Sequence, residues 1–188
     1  FATIAWGYQN GVNGNFGTVG GGKNNVASAY GSTIAGWDMN SVTNLWASSS
    51  ILGGVENWIS NANSAIAGGR QNIVHGAASF LWGGEQNIIE AGTMNVLWGG
   101  RLNTIKEGDW SALVGGTKNF IAGFANSIVW WSDNILRSDY SSIQGWAENS
   151  IHGAPYSSIV WGNANVMTWW AVMSFIGWGQ ANIIKDSS

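Results

Sequence analysis

The sequence predicts an all-β fold, a parallel β-solenoid of about twelve coils that runs through residues 1–188 as a single repeat domain. Asn recurs every 15 to 17 residues, with an aliphatic residue six positions before it and an apolar residue two positions after it. Recurrent apolar positions alternate with variable ones, which is the period of a β-strand. Helical repeats need about 33 residues or more, so this period excludes them.

The recurring Asn marks the centre of each predicted coil. The twelve centres are Asn10, Asn25, Asn40, Asn57, Asn72, Asn87, Asn103, Asn119, Asn134, Asn149, Asn165 and Asn182. Stacked amides can bond to one another and to the backbone of a turn. We therefore expect an Asn ladder along the solenoid axis.

Two aliphatic positions flank each Asn and predict two core-facing strands per coil. Six residues before the Asn stand Ile4, Val19, Ile34, Ile51, Ile66, Leu81, Leu97, Leu113, Ile128, Ile143, Ile159 and Ile176. Two residues after it stand Val12, Ala27, Val42, Ile59, Val74, Ile89, Ile105, Ile121, Leu136, Ile151, Met167 and Ile184. The spacing predicts one strand on each side of a corner.

Glycine marks that corner. Pairs such as Gly68-Gly69 and Gly115-Gly116 stand three and four residues before the Asn, where a sharp bend needs φ values that side chains disfavour. Ser dominates two residues before the first aliphatic position, as at Ser64. Two longer spacers, Thr43–Ala47 and Thr168–Val172, predict bulging loops.

Charged residues provide a test of register. Matching positions of consecutive coils should lie about 4.8 Å apart, where like charges repel. Opposite charges do match in Lys23/Asp38, Arg70/Glu85, Glu85/Arg101, Glu90/Lys106 and Lys118/Asp133, while Arg137 meets His152. This pattern favours in-register parallel stacking.

Composition excludes several classes of function. The net charge of −3 argues against nucleic acid as a partner. The absence of Cys excludes a thiolate metal site, and no apolar run reaches the roughly 18 residues of a transmembrane helix. The chain opens at Phe1 without a leader, which we interpret as a mature or excised segment.

No catalytic, metal or cofactor site is expected. His75 and His152 hold the same repeat position five coils apart, roughly 24 Å, which is too far to share a metal. We interpret both as solvated turn residues. We expect no two carboxylates at matching positions of neighbouring coils, so acid–base chemistry has no evident location. The sequence predicts a protein that is not an enzyme.

Tryptophan replaces corner Gly in several coils and supplies the candidate binding residues. A position that exchanges between Gly and Trp should point outward, because a close-packed core could not accept both. Adjacent coils carry Trp82 and Trp98, and four further consecutive coils carry Trp130, Trp131, Trp146, Trp161 and Trp178. We expect indole ladders about 4.8 Å apart, which contact another subunit, bind a ligand such as a glycan, or simply stack within the chain.

Large apolar residues at other outward positions favour subunit contact. They follow the Asn, as at Trp58 and Ile135, and they flank the first aliphatic position, as at Leu52 and Phe80. Soluble monomers avoid continuous apolar faces of this kind. The chain also opens and closes in strand pattern without a capping segment. These features predict self-association, as a homotrimer or as an end-to-end filament.

The repeat resembles the head repeats of trimeric autotransporter adhesins, the YadA-like heads, and related repeats of phage tail fibres. The matching stretches include residues 64–72, Ser-Ala-Ile-Ala-Gly-Gly-Arg-Gln-Asn, and residues 141–145, Ser-Ser-Ile-Gln-Gly. The resemblance implies a left-handed β-roll, usually homotrimeric, at an extracellular, cell or virion surface, where surface glycans or host matrix are possible partners. The bulky residue after the Asn and the Trp corners depart from that family.

Overall fold

In the part of the chain that the structure describes, the backbone winds through 24 short strands, two in each coil. The computed structural model describes residues 1–43 and 47–185. Its strands are β1 (Thr3–Ile4), β2 (Gly11–Val12), β3 (Thr18–Val19), β4 (Val26–Ala27), β5 (Thr33–Ile34), β6 (Ser41–Val42), β7 (Ser50–Ile51), β8 (Trp58–Ile59), β9 (Ala65–Ile66), β10 (Ile73–Val74), β11 (Phe80–Leu81), β12 (Ile88–Ile89), β13 (Val96–Leu97), β14 (Thr104–Ile105), β15 (Ala112–Val114), β16 (Phe120–Ala122), β17 (Ser127–Val129), β18 (Ile135–Arg137), β19 (Ser142–Ile143), β20 (Ser150–His152), β21 (Ser158–Ile159), β22 (Val166–Met167), β23 (Phe175–Ile176) and β24 (Ile183–Ile184).

These strands form two parallel sheets in the described part of the chain. The odd-numbered strands make the first sheet and the even-numbered strands the second, in chain order, with twelve strands in each. Register follows the repeat, since Leu81 pairs with Ile66 on one side and with Leu97 on the other. The predicted parallel β-solenoid of about twelve coils is confirmed.

The core is two columns of aliphatic side chains that face each other between the sheets. Ile66, Leu81 and Leu97 in the first sheet and Ile89 and Ile105 in the second are fully buried. The first coil differs, because Ile4 has a neighbouring coil on one side only in this chain and is 47 % exposed. Both predicted core positions are confirmed by this packing.

The Asn ladder is present, and its bonding is regular. Asn87 shows the pattern: its Oδ1 accepts the backbone N–H of Asn103 at 3.0 Å. Its Nδ2 donates to the carbonyls of Gly83 at 3.0 Å and Gly100 at 2.9 Å. Each amide therefore bonds to the backbone of its own corner and of the next coil, which satisfies buried polar groups that water cannot reach.

A second polar ladder runs along the opposite corner, at the recurring Ser. Ser64 Oγ accepts the N–H of Ser79 at 3.1 Å, and Ser79 Oγ accepts that of Asn95 at 3.2 Å. Asn95 Oδ1 then accepts the N–H of Ser111 at 2.9 Å. The sequence showed the Ser column but not this role, because Asn95 and Asn126 occupy the same column with a different side chain.

Backbone conformation explains the corner glycines. Gly84 has φ +88°, and a Cβ on it would collide with the Gly100 carbonyl of the next coil. The residue immediately before each ladder Asn is also left-handed although it is never Gly, as at Gln86 with φ 56°. Trp37 and Trp131 adopt φ 73° and 64° at the position that Gly84 holds in its own coil.

The register predicted from charge is confirmed, although the charges themselves interact little. Lys23 pairs with Asp38, and Glu85 pairs with both Arg70 and Arg101 in backbone bridges. Within the described residues, the one ion pair is Arg101 Nε to Glu85 Oε2 at 3.5 Å. The pattern of opposite charges thus indicates the register, but the charges contribute little to its stability.

The second of the two predicted loops is visible. Between Thr168 and Val172 the chain leaves strand β22 and makes a turn at Trp169–Trp170, while Ala171 points into the core and is 5 % exposed. Most of the first spacer, residues 44–46 of Thr43–Ala47, lies outside the described residues.

Candidate functional site

The predicted tryptophans all lie on the outside of the solenoid. Their side chains are between 50 % and 77 % exposed, which confirms the outward orientation inferred from exchange with Gly. The set is Trp82, Trp98, Trp130, Trp131, Trp146, Trp161 and Trp178. These residues nevertheless form separate groups with different ring geometries.

Trp82 and Trp98 form a true stack. Each follows the buried aliphatic of its strand, Leu81 or Leu97, so the two indoles hold identical places in neighbouring coils. Their ring centroids are 4.8 Å apart and their planes differ by 3°. Phe80 contacts Trp82 edge-on at 5.5 Å. Here the predicted ladder spacing is confirmed.

The five tryptophans of the last four coils do not form one ladder, and that prediction is wrong. Trp131 and Trp146 lie 5.7 Å apart at 31°, and Trp161 and Trp178 lie 6.4 Å apart at 37°. The reason is positional: Trp130, Trp161 and Trp178 stand four residues before their Asn, while Trp131 and Trp146 stand three before. This change of position separates Trp146 from Trp161, and within each same-position pair the rings are tilted rather than stacked.

A cleft opens where this arrangement shifts. The rings of Trp146, Trp161 and Trp178 line it, together with Gly162, Asn163, Gly179 and Gln180, and its volume is about 210 Å³. Glycine exposes the backbone between the indoles, and the Asn and Gln side chains add polar groups. We call this cleft the Trp corner.

Apolar side chains recur on the outside of the first sheet in its middle coils. We call this surface the apolar face and define it by Leu52, Phe80, Trp82, Val96, Trp98, Val114 and Val129. Leu52 is 60 % exposed. The stacked indoles of Trp82 and Trp98 lie near the centre of the apolar face. The second sheet presents Trp58, Ile135 and Ile183 in exposed places, while Ile73 and Ile88 are half-buried by their column neighbours.

An aromatic ladder that the sequence analysis missed lies at the Ser corner. Trp110, Phe124, Tyr140 and Tyr156 occupy consecutive coils, with centroid separations of 6.2, 5.5 and 5.1 Å. Three of these rings directly precede a polar ladder residue, namely Ser111, Ser141 or Ser157. Alignment on that column, rather than on Asn, would have revealed the ladder.

The two histidines are not solvated turn residues, contrary to expectation. His152 belongs to β20, is half-buried, and meets the edge of Trp169 at 4.8 Å. His75 Nδ1 lies 2.5 Å from Ser60 Oγ, and its ring meets Trp58 edge-on at 4.9 Å. Both imidazoles pack against outward aromatic rings because their column faces the surface of the second sheet.

The expectation about carboxylates is also wrong. Asp133 and Glu148 immediately precede the ladder residues Asn134 and Asn149, so they occupy matching positions of neighbouring coils. Both side chains are exposed. In residues 1–43 and 47–185, no group of three or more His, Asp or Glu residues could hold a metal ion.

Neither the protein-family models nor the curated protein sequences match this chain. The β-solenoid is a class shared by many repeat proteins, and its geometry here has no feature specific to YadA-like heads. Across the described ranges, no helix is long and apolar enough to cross a membrane.

Proposed function

We propose that this chain is a non-catalytic structural and adhesive repeat protein that associates with copies of itself through the apolar face. The observation that carries the proposal is the recurrence of outward apolar residues along the first sheet from Leu52 to Val129, with Leu52, Trp82 and Trp98 at least half exposed. A monomer in water would leave this surface exposed, and large exposed apolar patches mark association sites.

The composition of the apolar face supports a homotypic partner. Charged residues are 9 % of the chain, and none belongs to this face, so no charge pattern selects a different partner. The Trp82–Trp98 stack offers a rigid aromatic anchor of the type that dominates interface energies. A sheet with a regular parallel register can also match a second copy of itself.

The setting belongs to the same proposal. The repeat resembles adhesin heads and tail-fibre repeats, and a β-solenoid is the architecture that this resemblance implies. We therefore propose that the protein acts outside the cell or at a cell or virion surface, as a homotrimer or as a filament subunit.

Sedimentation velocity tests the proposal. We expect the chain to sediment as an oligomer and a Trp82→Ser/Trp98→Ser variant to sediment as a monomer with an unchanged far-UV circular dichroism spectrum. Trp146→Gly, a matched loss of an indole outside the apolar face, should remain oligomeric. A wild-type profile that contains only a 20.0 kDa species would overturn the proposal. Electron micrographs of the oligomer separate a trimer from a filament.

A second candidate is carbohydrate binding, with the Trp corner as the site. The cleft between Trp146, Trp161 and Trp178 supports it, because sugar rings pack on indole faces and the cleft adds Asn163 and Gln180 as hydrogen-bonding groups. Glycan-array binding that disappears in Trp146→Gly and Trp161→Gly, with the fold intact, would favour this function. Array binding that both variants retain would count against it.

A further inference from the structure

A second cleft, on the other sheet, combines polar groups with an aromatic ring. It is lined by Glu107, Ala122, Gly123, Arg137, Ser138, Asp139, His152, Gly153, Pro155 and Trp169, and its volume is about 420 Å³. We call it the polar cleft. It crosses five coils on the side of β18 and β20, away from the apolar face.

The repeat explains how the polar cleft arises. The fourth residue after each Asn forms one column, which in these five coils reads Glu107, Gly123, Ser138, Gly153 and Trp169. Small residues in the middle make a floor, and the two large side chains close its ends. The column beside it supplies Arg137 and His152 as one wall. The polar cleft therefore results from the change in residue size along the column of the fourth residue after each Asn.

Trp169 forms the aromatic end of the polar cleft. Its ring lies directly over Gly153, where a Cβ would overlap the indole. The edge of the ring is held against His152, with the two ring centroids 4.8 Å apart. The ring is therefore positioned on two sides, yet the side chain stays 60 % exposed. A fixed and accessible indole is a stacking surface.

The polar groups of the polar cleft keep bonding capacity. The Arg137 guanidinium lies over the Phe120 ring, 4.9 Å from its centroid, and none of the cleft's charged groups forms an ion pair with a described residue. Asp139 Oδ1 accepts the N–H of Phe124 at 2.8 Å, which leaves the other carboxylate oxygen available. In the floor, Ser138 Oγ is buried and has no hydrogen-bond partner among the described residues.

From this arrangement we infer that the polar cleft binds a neutral sugar ring. A pyranose presents an apolar face to an indole and a rim of hydroxyls that both donate and accept hydrogen bonds. Arg137 supplies donors, Glu107 and Asp139 supply acceptors, and such charge-assisted bonds are the stronger ones. Two carboxylates against one guanidinium disfavour an anionic ligand. The inference is independent of self-association, which uses the other sheet.

Binding is tested with methyl glucoside, methyl galactoside and N-acetylglucosamine as probes, by saturation-transfer NMR and then calorimetry on the full chain. We expect at least one of them to bind with millimolar or better affinity and glucuronate to bind more weakly. Trp169→Ala should weaken binding about tenfold, which corresponds to the loss of one aromatic contact. Arg137→Ala should weaken it by a similar factor.

Trp178→Gly is the matched control, because it removes an exposed indole of the Trp corner and leaves the polar cleft intact. Circular dichroism checks the fold of every variant, and Arg137→Ala tests the site without removing a packed ring. The inference is overturned if no probe binds, if glucuronate binds most tightly, or if both cleft variants retain wild-type affinity. Loss of binding in Trp178→Gly alone would also overturn it and assign the sugar to the Trp corner.

Discussion

One corner of the solenoid has an inner and an outer side, and the two sides follow different rules. On the inner side Asn stands in every coil, and nearly every one of these residues is fully buried. On the outer side, three and four residues earlier, Gly alternates with Trp. Gly and Trp, the smallest and the largest residues, thus replace one another close to an Asn column that does not vary.

The difference lies in what each position must satisfy. The Asn87 side chain forms hydrogen bonds with three backbone groups, in its own coil and in the next. No other side chain of its length provides one acceptor and two donors. At the two outer positions the Trp rings are exposed, and most of the residues there have a positive φ. Function can therefore vary on the outside while the inside keeps the register.

The largest loss of stability is expected when a ladder Asn in a middle coil is removed. Asn87→Ala leaves the N–H of Asn103 and the carbonyls of Gly83 and Gly100 without partners. Buried polar groups without partners are costly, so we expect a loss of about 3 kcal/mol in the free energy of unfolding. Urea unfolding followed by circular dichroism measures it.

Asn10→Ala is the matched control for that variant. Asn10 makes the same bonds, to Trp6, Gly22 and Asn25, but it lies in the first coil of this chain and is partly exposed. Water can replace its bonds, so the loss should be less than half as large. Equal losses at both positions would show that burial does not set the strength of the ladder.

The next largest loss of stability is expected when the second polar ladder is interrupted. Ser79 Oγ accepts the N–H of Asn95 and donates to the carbonyl of Ala77. Ser79→Ala removes both bonds, and we expect a loss of about 1.5 kcal/mol by urea unfolding. Ser79→Asn should be better tolerated, because Asn already serves this column at Asn95 and Asn126. An Asn variant weaker than the Ala variant would contradict the proposed role of the column.

The inner side was largely predictable from sequence, and the outer side was not. Asn and the aliphatic columns repeat in every coil because one bonding and packing requirement recurs, so a period in the sequence becomes a column in space. The offset between Trp131 and Trp161 can be read from the sequence. The tilt within the pairs Trp131/Trp146 and Trp161/Trp178 is seen only in the structure. The polar cleft was equally hidden, because it depends on a column that does not repeat: Glu107, Gly123, Ser138, Gly153 and Trp169.

A smaller change in stability is expected from a substitution on the outer side of the corner. Trp37 has φ 73° and is 72 % exposed. The hydrogen bond that follows it, from Asp38 N to the Gly54 carbonyl, is 3.3 Å long, against 2.9 Å at Val55 in the next coil. Trp37→Gly relieves the left-handed strain and loses an exposed ring, so stability should change by less than about 1 kcal/mol.

Gly84→Ala, at the same repeat position, is the control for Trp37→Gly. Its Cβ would collide with the Gly100 carbonyl, so thermal unfolding should show a clear loss of stability. A large loss in Trp37→Gly would mean that the outer indole carries structure as well as function.

The smallest effect is expected from the surface charges. Arg101 and Glu85 lie 3.5 Å apart, but their side chains are 59 % and 42 % exposed, and water screens such pairs. A double-mutant cycle with Arg101→Gln and Glu85→Gln should give a coupling energy below about 0.5 kcal/mol, falling further in high salt. Because both residues sit outside the ladders, neither variant should alter the strand register seen by amide hydrogen exchange. A coupling well above about 1 kcal/mol would mean that charges on the outside also hold the coils in register.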